Sequence, residues 1–246
     1  MSQPSPSRSV PEAERLSRRG LLGAGAVAAA GAAGLSALGP TTAGAASPRP
    51  RTPDGALKAL LHGNARYRRN AWSRKDYSPV GEAQPTAQEP FAAVLTCADS
   101  RVSPPLIFDV ERGNIFAAHV AGNSIDEGSL GSIEYAVAVL KVRVVMVLGH
   151  SDCGAVKAAM HVVDGSKTYD AEHYGAIGAF VDRVVPAVRA LPDANRTLGR
   201  CVSSNARLQA ADLAQRNPII APAVQRGEIK VVGAVYDIRT GRVRVV

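Results

Sequence analysis

The chain has 246 residues, with 29 Lys and Arg against 21 Asp and Glu, which gives a formal net charge of +8. No run of five or six basic residues occurs and aromatic residues make up only 4%, so the basic charge does not indicate a nucleic-acid-binding surface. Three cysteines are too few for a disulfide scaffold in a chain of this size, and a globular protein with one main domain is expected.

The N-terminal residues 1–45 have the order of features found in a secretory signal peptide. Ser17-Arg18-Arg19 precedes an uncharged stretch rich in Ala and Gly, and Ala43-Gly-Ala45 fits a small-residue cleavage site. The paired arginines favour export by the twin-arginine route. A signal that stays anchored in the membrane is the alternative, because about 20 residues can cross a bilayer. The many glycines argue against such a stable span. The proline-rich residues 46–54 predict a linker to a folded domain over 55–246.

In the folded domain, predicted strands alternate with predicted helices. This alternation indicates an α/β fold with a mainly parallel β-sheet flanked by helices. A break is expected at Pro186, within the predicted helix 175–191. The predicted elements in chain order are helix 56–70, strand 91–96, strand 114–120, helix 129–140, strand 142–148, helix 154–164, helix 175–191, helix 204–215 and a closing hairpin of strands 229–236 and 242–246.

Two short runs at the ends of predicted strands carry the residue types of a metal site. The first is Cys97-Ala-Asp-Ser-Arg101 and the second is His150-Ser-Asp-Cys153. Because ligands gather at the carboxyl ends of parallel strands, Cys97, His150 and Cys153 are expected to share one zinc ion. Three protein ligands leave the fourth position open, as in catalytic zinc sites. Taken singly, each residue could instead be a structural cysteine or a core histidine.

Both runs resemble the motifs of the β-class carbonic anhydrases, C-x-D-S-R followed by H-x-x-C-G. The similarity extends over about 55–246, which the resemblance identifies as a β-carbonic-anhydrase-like catalytic domain. It implies a lyase that interconverts carbon dioxide and bicarbonate. Further runs of the family occur in the expected order at 105–109, 113–116, 121–123, 131–136, 145–150 and 232–237.

The resemblance also implies a mechanism. One Zn²⁺ per chain is held by Cys97, His150 and Cys153, and zinc-bound hydroxide attacks carbon dioxide. Asp99 and Arg101 form a catalytic dyad, in which the arginine holds the carboxylate and the carboxylate orients the hydroxide. The alternative for these two residues is an ordinary surface ion pair, which stabilises little. In some members of the family the aspartate becomes the fourth zinc ligand, and the sequence leaves that open.

The expected partners follow from the same resemblance. The substrate is a small molecule, carbon dioxide or bicarbonate, and neither nucleic acid nor a stable membrane span in the mature protein is expected. A homodimer or a higher even oligomer is usual in the family. Two other functions stay open: hydrolysis of carbonyl sulfide or carbon disulfide at the same site, and a non-catalytic zinc-binding or thiol protein. The presence of both Asp99 and Arg101 disfavours the last.

Overall fold

The structure is a computed structural model that describes residues 49–73 and 88–246. The predicted signal peptide, residues 1–45, lies outside these ranges, as does the first part of the predicted linker. Within the described ranges, no helix combines the length and the apolar character that crossing a membrane requires.

Five strands form one sheet in the order β2-β1-β3-β4-β5. The first four strands are parallel, and β5 lies antiparallel to β4 at one edge. The predicted mainly parallel α/β fold is therefore confirmed, and each strand ends within two residues of its predicted bounds. The strands are β1 (Ala92–Thr96), β2 (Ile115–His119), β3 (Val144–His150), β4 (Lys230–Tyr236) and β5 (Val243–Val245).

Helices connect the strands and cover both faces of the sheet. The short helices α2, α5 and α8 were not predicted, because four to six residues are too few to show a helical period. In the described part of the chain the helices are α1 (Pro53–Arg68), α2 (Pro104–Ile107), α3 (Glu127–Ala138), α4 (Gly154–Val163), α5 (Ala171–Tyr174), α6 (Ile177–Arg189), α7 (Leu198–Ala214) and α8 (Ile220–Gln225).

Three predicted helix boundaries were wrong. Helix α1 begins at Pro53, inside the segment predicted as linker, because proline suits the first position and the Thr52 side chain caps the Gly55 N–H at 3.1 Å. Helix α6 continues through Pro186, where the buried valine face of the helix offsets the missing backbone hydrogen bond. Helix α7 begins six residues before its predicted start, since Cys201 and Val202 are buried near its N-terminus.

The sheet is buried on both faces by two apolar clusters. Every residue of β3 is buried, as expected of a central strand in a parallel sheet. Along this strand, Met146 packs in one cluster with Leu60 of α1 and Phe108 after α2. The next residue, Val147, packs in the other cluster with residues of α3, α7 and α8. The alternation follows the two-residue period of a strand.

A third apolar cluster contains residues of α4, α6 and α7. Cys97 and Cys153 belong to this cluster, which includes Val156, Val184 and Val202. Two of the predicted metal ligands thus lie against a packed apolar layer, and burial of this kind restricts how far their side chains can move.

Candidate metal centre

Two adjacent parallel strands deliver the predicted metal ligands to the same edge of the sheet. Cys97 directly follows the last residue of β1. His150 is the last residue of β3 and pairs with Tyr236 of β4, so the strand extends two residues beyond its predicted end. Cys153 is the N-cap residue of α4, three residues after His150. The strand-to-helix turn therefore places an imidazole and a thiol on one side of the site.

The three side chains meet in space. One ligand atom from each of Cys97, His150 and Cys153 lies within 4.8 Å of the others, and all three residues are buried. Zn–S bonds measure about 2.3 Å and Zn–N bonds about 2.0–2.1 Å, so one ion can be reached by all three after small movements. The two runs of the sequence, 53 residues apart, thus form a single cluster.

His150 is oriented for metal binding by its own backbone neighbour. Its Nδ1 lies 2.9 Å from the carbonyl oxygen of Ser151. Because a carbonyl only accepts hydrogen bonds, Nδ1 carries the proton in the neutral ring, and Nε2 then presents its lone pair. Nε2 is buried and has no hydrogen-bond partner among the described residues. A buried polar atom without a partner is costly, and a metal ion satisfies it.

The two thiols are coupled through a hydrogen bond. The pKa of Cys97 is lowered to about 4, chiefly because the Cys153 thiol donates to it, with burial opposing this effect and His150 and the Gly122 N–H adding to it. The same contact raises the pKa of Cys153, and burial raises it further. Without a metal, the pair therefore holds one proton, which a bound cation would displace.

The charge of Cys97 also acts on His150. Burial alone would lower the pKa of the imidazole, but its interactions with Cys97, the Ser151 carbonyl and Asp99 together outweigh burial and raise it. The cluster therefore combines two sulfur atoms and one imidazole nitrogen in a buried setting. This donor set suits a tetrahedral ion such as Zn²⁺ rather than the oxygen-preferring Mg²⁺ or Ca²⁺.

Asp99 and Arg101 form a paired contact beside the cluster. Arg101 donates from Nε to Oδ1 of Asp99 at 2.9 Å and from Nη2 to Oδ2 at 2.8 Å. Its backbone N–H also donates to Oδ1, at 3.0 Å. The side-chain hydrogen bonds from Arg101, opposed by partial burial, hold the pKa of Asp99 well below its usual range. The carboxylate is therefore ionised at neutral pH.

The carboxylate of Asp99 lies next to the metal ligands. Its Oδ2 is 3.9 Å from Nε2 of His150. Both oxygens are also bonded to Arg101, so a movement of Asp99 onto a metal ion would break these bonds. The structure thus brings together all five residues singled out in the sequence, with three as candidate ligands and two as a dyad beside them.

Two further groups complete the site, and the sequence did not identify either as part of it. The Gly122 N–H donates to Sγ of Cys97 at 3.3 Å. In the sequence, residues 121–123 were noted only as a run shared with the family, although the glycine could have suggested a close backbone approach. The Ser151 carbonyl, which bonds His150, leaves no signal in the sequence because any residue can supply it.

A comparison with known proteins identifies the family. A family model described as carbonic anhydrase matches residues 92–243, more than half of the chain and all five site residues. The chain belongs to the carbonic anhydrase family. The carbonic anhydrase of Mycolicibacterium smegmatis is 36% identical over 193 residues, which cover 78% of this chain and 92% of that protein. Carbonic anhydrase 2 of Mycobacterium tuberculosis is 35% identical over 192 residues, covering 77% of this chain and 91% of that protein.

Solved structures place the chain in the β class of carbonic anhydrases. The β-carbonic anhydrase of Coccomyxa, in complex with acetazolamide, is 28% identical with a TM-score of 0.56, covering 65% of this chain and 73% of that one. A tetrameric β-carbonic anhydrase of Sordaria macrospora is 25% identical with a TM-score of 0.55, covering 65% and 82%. The predicted family and enzyme class are therefore confirmed, and the cysteine and histidine cluster can bind a metal.

Proposed function

We propose that the protein catalyses the reversible hydration of carbon dioxide to bicarbonate and a proton, using one zinc ion held by Cys97, His150 and Cys153. The main support is the buried, unpaired Nε2 of His150 beside two thiols, in a chain of the carbonic anhydrase family. Two thiolates and a neutral imidazole would balance the charge of Zn²⁺ without a third anionic ligand. Asp99 is then available for a role other than coordination.

A zinc ion bound there would act as a Lewis acid, lowering the pKa of a bound water toward about 7 and so supplying a nucleophile. The ionised Asp99 can only accept a hydrogen bond. From its position beside His150, Asp99 would accept one from a water or hydroxide held at the metal site and so orient that group toward carbon dioxide. Arg101 keeps the carboxylate ionised and prevents its rotation through two side-chain hydrogen bonds.

Zinc content tests the metal assignment. The purified protein should contain about one zinc ion per chain, because the site offers three ligands. A strong chelator should remove both the zinc and the activity, and added zinc should restore both. Elemental analysis of the purified protein measures the content. A protein without zinc that cannot be loaded with it would show the proposed site to be wrong.

A homodimer or a higher even oligomer is proposed for the assembled enzyme. Exposed apolar side chains in the described part of the chain support a partner surface, and they include Leu106, Tyr135 and Val139. The similar enzyme of Sordaria macrospora is described as tetrameric. Light scattering of the purified protein should give an even multiple of the chain mass, and a monomer at micromolar concentration would exclude this assembly.

Export by the twin-arginine route remains a proposal that rests on residues 1–45. Replacement of both Arg18 and Arg19 with lysine should leave the precursor inside the cell, because the arginine pair is read by the export receptor. Immunoblots of cell fractions measure this. Unchanged export would favour the general secretory route, and full-length protein in membranes would favour the anchored form.

A further inference from the structure

A short hydrogen-bond path leads from helix α7 to one of the proposed metal ligands. Asn205 lies in α7 and is 1% exposed. Its Nδ2 donates to the carbonyl oxygen of Gly122 at 2.8 Å. The N–H of the same glycine donates to Sγ of Cys97 at 3.3 Å. Asn205 and Cys97 are therefore joined through a single residue that neither of them neighbours in sequence.

Gly122 makes both bonds in a conformation that few other residues adopt. Its backbone lies in the left-handed region, with φ of 69° and ψ of 15°. A Cβ atom at this position would lie 2.9 Å from Cβ of Ala155 and 3.0 Å from Cγ2 of Val184. The glycine is thus packed tightly against α4 and α6. A rotation of its peptide groups would turn the N–H away from Cys97 and leave the buried carbonyl without Asn205.

We propose that Asn205 is a positioning residue for the metal centre, which holds Gly122 so that its N–H donates to the Cys97 sulfur. This inference rests on the proposed zinc site. Hydrogen bonds to a coordinating thiolate fix its direction, and such outer contacts are worth about 10- to 100-fold in metal affinity or activity. Asn205 would thus set how tightly the site holds zinc.

The rest of the Asn205 side chain argues against a purely stabilising role. Its Oδ1 is buried and has no hydrogen-bond partner among the described residues. A buried polar atom without a partner destabilises the fold, and an apolar side chain of similar shape would avoid that cost. A residue that served only to pack α7 would not need the amide, whereas the bond to Gly122 does need it.

Gln209 provides a matched control in the same helix, four residues further on. It is also a buried amide, and its Nε2 donates to the Arg183 carbonyl at 3.1 Å. Its Oε1 accepts from the Ile125 N–H at 3.1 Å. Gln209 therefore connects α7 by hydrogen bonds to α6 and to the segment after Gly122, but it makes no hydrogen bond to the glycine itself.

The test compares Asn205→Leu and Asn205→Ser with Gln209→Met in the full chain. Zinc affinity is measured by competition with a chelator, and thermal unfolding is measured in parallel. Both Asn205 variants should bind zinc at least about 10-fold more weakly than wild type. Gln209→Met should lower the unfolding temperature to a similar extent and keep zinc affinity within about twofold. The serine variant avoids a new buried apolar group if the leucine variant folds poorly.

Cobalt substitution gives a second measurement that does not depend on activity. Loss of a hydrogen bond raises the energy of the sulfur lone pair, so the thiolate-to-cobalt absorption should move to longer wavelength in the Asn205 variants and stay unchanged in Gln209→Met. Wild-type zinc affinity and an unshifted cobalt spectrum in the Asn205 variants would overturn the inference. Equal losses in Gln209→Met would overturn it as well. Failure of the wild-type protein to bind zinc would instead contradict the proposed function.

Discussion

The Cys97→Ser protein should lose most of its bound zinc and nearly all of its carbon dioxide hydration activity. A serine hydroxyl does not ionise near neutral pH, whereas the metal ligand is the thiolate. The buried site would also lose a negative charge that balances the positive charge of the metal ion. The loss of zinc affinity should exceed the about 10- to 100-fold that removal of an outer contact costs. Metal analysis and stopped-flow rates on the same preparation measure both effects.

Cys201→Ser is the matched control for this prediction. Cys201 is fully buried in the same apolar cluster, but it is not among the residues that meet at the metal site. Its replacement tests what a buried cysteine-to-serine change does to folding alone, and it should leave the zinc content per chain unchanged. If Cys97→Ser keeps full zinc and full activity, Cys97 is not a ligand.

Arg101→Ala should keep zinc but lose about 10²–10³ in turnover, which is the usual cost of removing a preorganised hydrogen-bond group. No ligand is removed, so metal content should stay near wild type. Asp99, however, would lose both side-chain bonds that hold it beside His150. The double variant with Asp99→Ala should be little worse than Arg101→Ala, since residues that act as a unit do not contribute additively. Turnover numbers of Arg101→Ala, Asp99→Ala and the double variant measure this.

Arg226→Ala controls for the loss of a paired arginine elsewhere. Arg226 makes two hydrogen bonds to Glu228, at 2.8 and 3.0 Å, with the same separation of two residues along the chain. Both residues are exposed, and an exposed ion pair of this kind contributes little to stability. Its removal should leave turnover unchanged. A near wild-type rate for Arg101→Ala, or losses that multiply in the double variant, would reduce the dyad to an ordinary ion pair.

The sheet and the ligand cluster could be predicted because their signals are local. A run of apolar, β-branched residues predicts a buried strand, and the motif residues directly follow β1 or end β3. Parallel pairing then places Cys97 and His150 at the same edge. Cys97 and His150 lie close together because β1 pairs with β3. The resemblance to the family also implied that they share one site.

Other features depend on contacts that the sequence does not reveal. The continuation of α6 through Pro186 depends on burial of its valine face against neighbouring helices. The bond between Asn205 and Gly122 joins residues 83 positions apart. In the sequence, Asn205 is one polar residue among several in α7, and only the packing of that helix against the turn shows what the amide contacts.

Stopped-flow measurement of carbon dioxide hydration at graded zinc occupancy tests the central claim most directly. The protein is stripped with a chelator, loaded with known amounts of zinc and measured at constant pH and buffer. The rate should rise in proportion to bound zinc and level off near one ion per chain, as a site with three ligands predicts. A fully loaded protein that hydrates carbon dioxide no faster than the buffer alone would contradict it.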